Sequence, residues 1–319
     1  MSNEAVYVSV VVPMYNEAEC VEEFHRRAKA ALEALGKPYE LVIVDDGSSD
    51  GTAEALRGIC SRDQAVVGVF LSRNRGQSAA LSAGFRHSKG EFVVVMDGDL
   101  QNMPEEIGLL LAANQGAAMA KGIRQGRPES KFIRLIPSRI ANWAIRKTTK
   151  CDIRDMGGFS CMRGDLARSL RLRSGQHRFL PALVHIMGGR VVQVPVTAQK
   201  RFAGTSHYGI GRSIDVFLDI AMLWFQTANK RRPVYLFGRV SLASFTAASL
   251  LFLWTLADKV FRGADMANRP PFFISILLFL AALGFLSTGF ILEVLTGAVE
   301  AENGGYVVGE TANYEEDPT

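Results

Sequence analysis

"YELVIVDDGSSDGTAEAL", residues 39–56, holds three signals in succession. The apolar, partly β-branched run Leu41–Val44 reads as a strand, an acidic Gly/Ser-rich turn ends it, and a helical start follows. The same order appears in "VYVSVVVPMYNEAEC", residues 6–20, where a strand ends at Pro13 and a helix continues to about Leu35. It appears again in "VVGVFLSRNRGQSAALSAGFRHS", residues 66–88, and "EFVVVMDGDLQNMPEE", residues 91–106, supplies a fourth strand. Strands alternating with helices predict an α/β domain built on a mostly parallel sheet. Ligands of such sheets bind beyond the carboxyl ends of the strands, where Tyr15, Glu17, Asp45, Asp46, Arg73, Asp97 and Asp99 all fall.

The fourth strand poses a chemical question. Asp97 and Asp99 stand one residue apart at the end of a run that reads as buried on both faces. In an extended chain the two point to one side, and Gly98 allows a tight turn between them. Two readings stay open at this level: a solvated turn, or a pair converging on a cation. A calcium loop of the EF-hand type fits poorly, because Asn102 stands where that loop needs Gly and Gly108 where it needs Glu. A metal sharing its coordination with a phosphate fits better. No strand turn carries G-x-G-x-x-G or a P-loop lysine, so phosphates here would need a metal in place of a glycine cradle.

Composition sets further bounds. The 319 residues are 48% hydrophobic, and the apolar residues concentrate late in the chain. No charged residue occurs over Val240–Ala257 or Pro270–Leu292, and each run approaches or exceeds the roughly 20 residues that cross a bilayer. Two transmembrane helices are expected, joined by Asp258–Arg269, with two buried core helices as the alternative. Tyr7–Met14 is too short for a signal peptide and contains Pro13, and Lys230, Arg231 and Arg232 precede the first span, so the large domain is expected in the cytoplasm. Lys259, Arg262 and Arg269 in the connecting loop weigh against that orientation. Cys20, Cys60, Cys151 and Cys161 lack metal-like spacing and suit a reducing compartment. The net charge of +4 is small and no interleaved basic and aromatic pattern occurs, so no nucleic-acid partner is expected.

The residues then carry a resemblance. "VVPMYNE", "LVIVDDGSSDGT", "NRGQSAALSAGF" and "VVVMDGDLQNMPEEI" are similar to the successive blocks of family 2 glycosyltransferases with the GT-A fold. "GIRQGRPESKF", "DMGGFSCMR" and "RFAGTSHYGIGRSIDVFLDI" extend the likeness to the polyisoprenyl-phosphate glycosyltransferases, the group that contains dolichol-phosphate mannose synthase and the undecaprenyl-phosphate glucose and aminoarabinose transferases. The resemblance implies a GT-A catalytic domain over residues 1–211, an interfacial amphipathic helix and basic linker over 212–236, a transmembrane hairpin over 237–295 and an acidic cytoplasmic tail over 296–319. It implies a nucleotide-sugar donor lined by Pro13, Tyr15, Glu17, Asp46 and Asp97, and Mg²⁺ or Mn²⁺ held by Asp97, Asp99 and Gln101. It implies a polyisoprenyl-phosphate acceptor met by Arg124, Arg127, Lys131, Arg201 and Ser206, and Asp155 beside Asp99 as catalytic residues. Charge runs of this kind are otherwise ordinary solvated faces.

The expected activity is inverting transfer of a single sugar from a UDP- or GDP-linked donor to undecaprenyl or dolichyl phosphate, at the cytoplasmic face of a bacterial inner membrane, among membrane lipids. Glucose, mannose and aminoarabinose donors all stay open, as does a homo-oligomer. Two departures are visible. His207 stands where relatives carry Lys after the serine, and the segment after the second span is acidic where the family's is basic. The alternatives are a processive polysaccharide synthase, whose Q-x-x-R-W block does not occur here, and a catalytically silent nucleotide-binding scaffold. Asp97, Asp99 and Asp155 together speak against the scaffold.

Overall fold

The computed structural model describes residues 5–125, 158–197, 199, 233–263, 265, 266 and 269–303. They belong to two compact units, one holding the described residues up to 199 and the other those from 233. The first is a seven-stranded sheet in the order β3-β2-β1-β4-β6-β5-β7. Its strands are β1 Val8–Met14, β2 Tyr39–Asp45, β3 Val66–Phe70, β4 Phe92–Val95, β5 Met119–Gln125, β6 Ser160–Arg163 and β7 Val191–Thr197. The four strands expected from the sequence are present and mutually parallel. β6 runs antiparallel between β4 and β5, and β7 pairs parallel with β5, so the sheet is mixed beyond β4.

Both faces of the sheet are covered, which is why its strands read as unbroken apolar runs. Val10, Val12, Ile43 and Val94 face Phe24 of α1 (Ala18–Glu33) and Leu56 of α2 (Thr52–Arg62). Their neighbours in sequence, Val11, Val42, Val44, Val93 and Val95, face Leu81 and Phe85 of α3 (Gln77–His87). Each fully buried side chain of this size contributes on the order of 1.5–3 kcal/mol. α3 lies so close to the sheet that a Cβ at Gly84 would overlap the Val11 side chain. Shorter helices complete the unit: α4 Ile107–Ala113, α5 Gly164–Ser169 and α6 Leu180–Ile186.

One boundary differs from the expectation. β1 passes through Pro13 to Met14 instead of ending at the proline. The register explains how a central strand tolerates it. The Val11 carbonyl accepts the Met96 amide on the β4 side and the Met14 carbonyl accepts the Asp46 amide on the β2 side. By alternation the Pro13 nitrogen faces β4, and the β1–β4 ladder ends at Val11 and Val95. A missing N–H there breaks no ladder bond.

The second unit consists of α7 (Pro233–Arg262) and α8 (Pro270–Asn303). Their spans Val234–Arg262 and Pro270–Leu295 are both long and apolar enough to cross a membrane. The helices touch closely: the Ser241 hydroxyl donates to the Ala282 carbonyl at 2.7 Å, Phe245 packs edge-on against Phe279, and a Cβ at Gly289 would lie 2.9 Å from that of Phe237. Leu250, Leu253, Leu277 and Leu283 stand exposed on the pair, the distribution of a helix surrounded by lipid. α8 continues past Leu295 to Asn303, into the segment read from sequence as tail. The interfacial helix expected from residue 212 lies outside the described residues up to Arg232.

Asp63, just after α2, ties that helix to α1 by accepting from Lys29 at 2.8 Å and by its contact with His25 at 3.0 Å. Burial pushes its carboxyl up, but these bonds and the Ala65 amide outweigh burial and bring it from 3.8 to about 2. A depressed folded pKa contributes stability that is present above pH 4 or so and is lost as the pH falls towards 2. Asp63→Asn is therefore expected to cost about 1 kcal/mol near neutral pH, a value discounted for the solvent around Lys29, and to flatten the acid limb between roughly pH 4 and 2. Denaturant unfolding of the detergent-solubilised chain across that range is the measurement.

Candidate functional site

Chain order places β2 and β3 on one side of β1 and β4 on the other, so β1 and β4 flank the point where the winding reverses. Beyond Val11 and Val95 these two strands part, and the residues leaving them line the crevice. From β1 come Pro13, buried, Tyr15, 46% exposed, and Glu17. From β4 come Asp97, partly buried, and Asp99, buried.

The loops around the crevice are braced across one another. Three successive amides at the start of α1 are satisfied by side chains from the β2–α2 loop: Asn16 N–H by Ser48 Oγ, Glu17 N–H by Thr52 Oγ1 and Ala18 N–H by Asp50 Oδ2. Asn16 Oδ1 accepts the Ser49 amide in return, and Asn16 holds a positive φ of 53°. The turn residues read from sequence as loop formers thus cap a helix of a neighbouring unit. Asp46 accepts the Arg75 and Gly76 amides, each at 2.8 Å, and so fixes the entry to α3. Burial, with the neighbouring Asp45, holds the Asp46 carboxyl above its ordinary range in spite of those two amides.

The acidic turn is more crowded. Asp97 Oδ1 accepts from Gln77 Nε2 at 2.8 Å, and Asp99 Oδ1 accepts the Gln101 amide at 3.1 Å. Burial pushes the Asp97 carboxyl up and the Asp99 charge adds to it, while Arg124, Lys121 and the Gln77 bond pull the other way without reversing the shift. A Cβ at Gly158 would lie 2.9 and 3.0 Å from the two Asp97 oxygens, and one at Gly98 would lie 2.8 Å from Glu17 Oε2. Only backbone without side chains fits beside these carboxylates. Leu100, buried, holds a φ of 58°, a conformation that costs a branched residue on the order of 1–3 kcal/mol. Such strain at the residue after Asp99 accords with a turn shaped for something other than stability.

The structure thus gathers Asp97, Asp99, Gln101 and Arg124 at one end of the sheet, with Pro13, Tyr15, Glu17 and Asp46 along the same edge. Arg127, Lys131, Asp155, Arg201 and Ser206 lie outside the described residues. Three neighbours of Asp97 were not singled out from sequence: Gln77, Lys121 and Gly158. Gln77 opens a helix at the carboxyl edge, but no sequence signal marks its partner. Lys121 interrupts the apolar start of β5; it is 1% exposed and donates to the Phe159 carbonyl at 2.8 Å.

Among the described residues no three of His, Cys, Asp and Glu converge as a metal cluster. Two hard carboxylates one residue apart, Asp97 held against the Gly158 backbone, nonetheless suit Mg²⁺ or Mn²⁺, which bind through one or two carboxylates and complete their shell with water and phosphate oxygens. The residues present fit such an ion.

The chain is similar to known proteins in sequence and in fold. Residues 9–167 match the sequence profile of Glycosyl transferase family 2. A dodecaprenyl-phosphate galacturonate synthase of Rhizobium johnstonii is 32% identical over 92% of this chain and 88% of its own. An undecaprenyl-phosphate 4-deoxy-4-formamido-L-arabinose transferase of Edwardsiella ictaluri is 38% identical over 86% of this chain and 83% of its own. In fold, the chain is similar to glucosyl-3-phosphoglycerate synthase from Mycobacterium tuberculosis, crystallised with Mn²⁺, UDP-glucose and phosphoglyceric acid, at a TM-score of 0.55 and 18% identity over 69% of this chain and 80% of that one.

Gly158→Ala tests the crowding around Asp97. The carboxylate, tethered by Gln77, would have to swing away from the added methyl, and displacement of about 1 Å at a reacting centre costs on the order of 10²-fold in rate. The expected outcome is that loss in turnover with an unchanged thermal midpoint, read by a transfer assay and a melting curve.

Proposed function

This chain belongs to glycosyl transferase family 2, and we propose that it transfers a single sugar, with inversion, from a nucleotide-sugar to a polyisoprenyl phosphate at a membrane. The observation that carries the reading is the acidic pair at the β1–β4 crevice, Asp97 partly buried and Asp99 buried. Two relatives named as polyprenyl-phosphate sugar transferases align over most of the chain, which supports the acceptor class. The two apolar helices support a membrane protein. The finer placement is part of the proposal: catalysis by residues 1–211 on the cytoplasmic face of a bacterial inner membrane, an interfacial segment over 212–236, a membrane hairpin over 237–295 and a cytoplasmic tail over 296–319.

In this reading Asp97, Asp99 and Gln101 would hold Mg²⁺ or Mn²⁺. When bound, such an ion supplies positive charge to the diphosphate that leaves the donor sugar. The chain's own residues bind and orient. Tyr15 offers a flat, exposed ring to the base, while Glu17 and Asp46 line the nucleotide side of the crevice. Arg124, at the end of β5, brings a fixed positive charge to the edge where anionic groups meet, and Arg127, Lys131, Arg201 and Ser206 are assigned to the acceptor phosphate. A phosphate monoester has a second pKa of roughly 6, so its attacking oxygen is already largely deprotonated at neutral pH and needs no general base. Asp155 is accordingly assigned to positioning the donor sugar or the acceptor.

The test is incubation of the purified full chain with undecaprenyl phosphate, a divalent cation and a panel of UDP- and GDP-sugars. One donor should yield a lipid-linked sugar, and Asp99→Ala should lower that rate roughly a hundredfold or more while leaving folding and membrane partition unchanged. Equal parent activity with and without chelator would overturn the assignment of the acidic pair. Asp155→Asn should slow transfer at every pH, and recovery of parental rate at high pH would reassign that residue as a base.

A further inference from the structure

We propose that Gln77 is a positioning residue for the reaction: its side-chain amide holds the Asp97 carboxylate in the one orientation in which the acidic pair receives a divalent cation. The proposal rests on the reading of Asp97 and Asp99 given above. Gln77 comes from a different strand–helix unit than Asp97, twenty residues earlier, and its Nε2 donates to Asp97 Oδ1 at 2.8 Å.

The start of α3 is pinned so that this donor cannot drift. Just before Gln77, the Arg75 and Gly76 amides both donate to Asp46 at the end of β2. Just after it, Ser78 Oγ lies 2.9 Å from His177 Nδ1 and accepts the His177 amide at 3.2 Å, which ties the helix to the turn over Gln176–Phe179. Two separate elements, the end of β2 and the turn over Gln176–Phe179, therefore fix residues 75–78. The Asp97 carboxylate also meets the Gly158 position, where an added methyl group would lie 2.9 and 3.0 Å from its two oxygens. The Gln77 amide and this bare backbone together narrow the orientations open to Asp97.

The chemistry of the donor matters as much as its place. A lysine or arginine at position 77 would orient Asp97 equally well, but its charge would cancel the attraction on which cation binding depends. A neutral amide orients the carboxylate without adding a further positive charge. Hydrogen bonds that aim a ligating carboxylate in this way are worth about 10–100-fold in metal affinity or activity.

The decisive substitution is Gln77→Met, which keeps length and approximate volume but cannot donate. Mn²⁺ binding to the detergent-solubilised full chain, followed by electron paramagnetic resonance without donor, should weaken about tenfold or more relative to the parent. The metal-free thermal midpoint should stay unchanged, and in the transfer assay the half-saturating Mn²⁺ should rise while the KM for polyisoprenyl phosphate does not. Gln77→Asn, which keeps the amide but shortens its reach, should give the same weakening and decides the matter if the Met variant does not fold. Mn²⁺ binding within twofold of the parent in either folded variant would overturn the inference and leave the proposed function standing. A fall of several degrees in the metal-free midpoint with no change in Mn²⁺ affinity would make the role structural and overturn it too. Parent and Asp99→Ala binding Mn²⁺ equally would overturn the reading of the acidic pair itself, and the inference with it.

Discussion

Like charges one residue apart repel, and at Asp97 and Asp99 burial removes much of the water that would screen them. Everything around the crevice bears on that repulsion. Arg124 and Lys121 on β5 bring positive charge towards Asp97, Gln77 donates to it, and the Gln101 amide donates to Asp99. Together these leave the Asp97 carboxyl still above its ordinary range. Leu100 adds backbone strain at the same turn. A sequence selected for stability alone would have relieved both, and a hydrophobic residue at position 97 or a glycine at 100 is chemically simple. Their persistence is understandable where a cationic partner completes the charge balance.

Rigid support makes such a turn tolerable. The β1–α1 and β2–α2 loops exchange side-chain hydrogen bonds at Asn16, Ser48, Asp50 and Thr52, and Asp46 joins the second loop to the start of α3. Individually such bonds contribute about 0.5–1.5 kcal/mol. Their joint effect is geometric: the carboxyl edge of the sheet becomes one braced surface, in which Asp97 is held from α3 and from the start of β6. Pro13 belongs to the same design, since the strand edge that cannot donate is the edge that opens.

Periodicity and turn chemistry made the first four strands legible, because each pairs a two-sided apolar run with an acidic or glycine-bearing exit. The acidic exits also located the crevice, and order along the chain was enough to group Asp46, Asp97 and Asp99. β5, β6 and β7 were less readable for a physical reason. β5 contains Lys121 and Gly122, β6 has four residues, and much of β7 is only half-buried, so none shows the pattern that burial on both faces imposes. Gln77 was invisible for a different cause. A glutamine at a helix start is unremarkable in sequence, and its partner is set by tertiary contact alone. Pro13 misled in the opposite sense, suggesting a strand end where the chain merely leaves one neighbour.

The proposed reaction gives the charge arrangement its logic. When the nucleophile is a phosphate oxygen that ionises below neutral pH, removing a proton is not the obstacle, so a strongly basic carboxylate beside the acceptor would only repel it. What remains is to bring two anions, a nucleotide diphosphate and a lipid phosphate, to one carbon without mutual repulsion preventing contact. That calls for positive charge on both sides of the sugar and carboxylates confined to the side where a cation can neutralise them. The braced edge supplies part of this, with Asp97 and Asp99 at the end of β4 and Arg124 of β5 bringing positive charge towards Asp97.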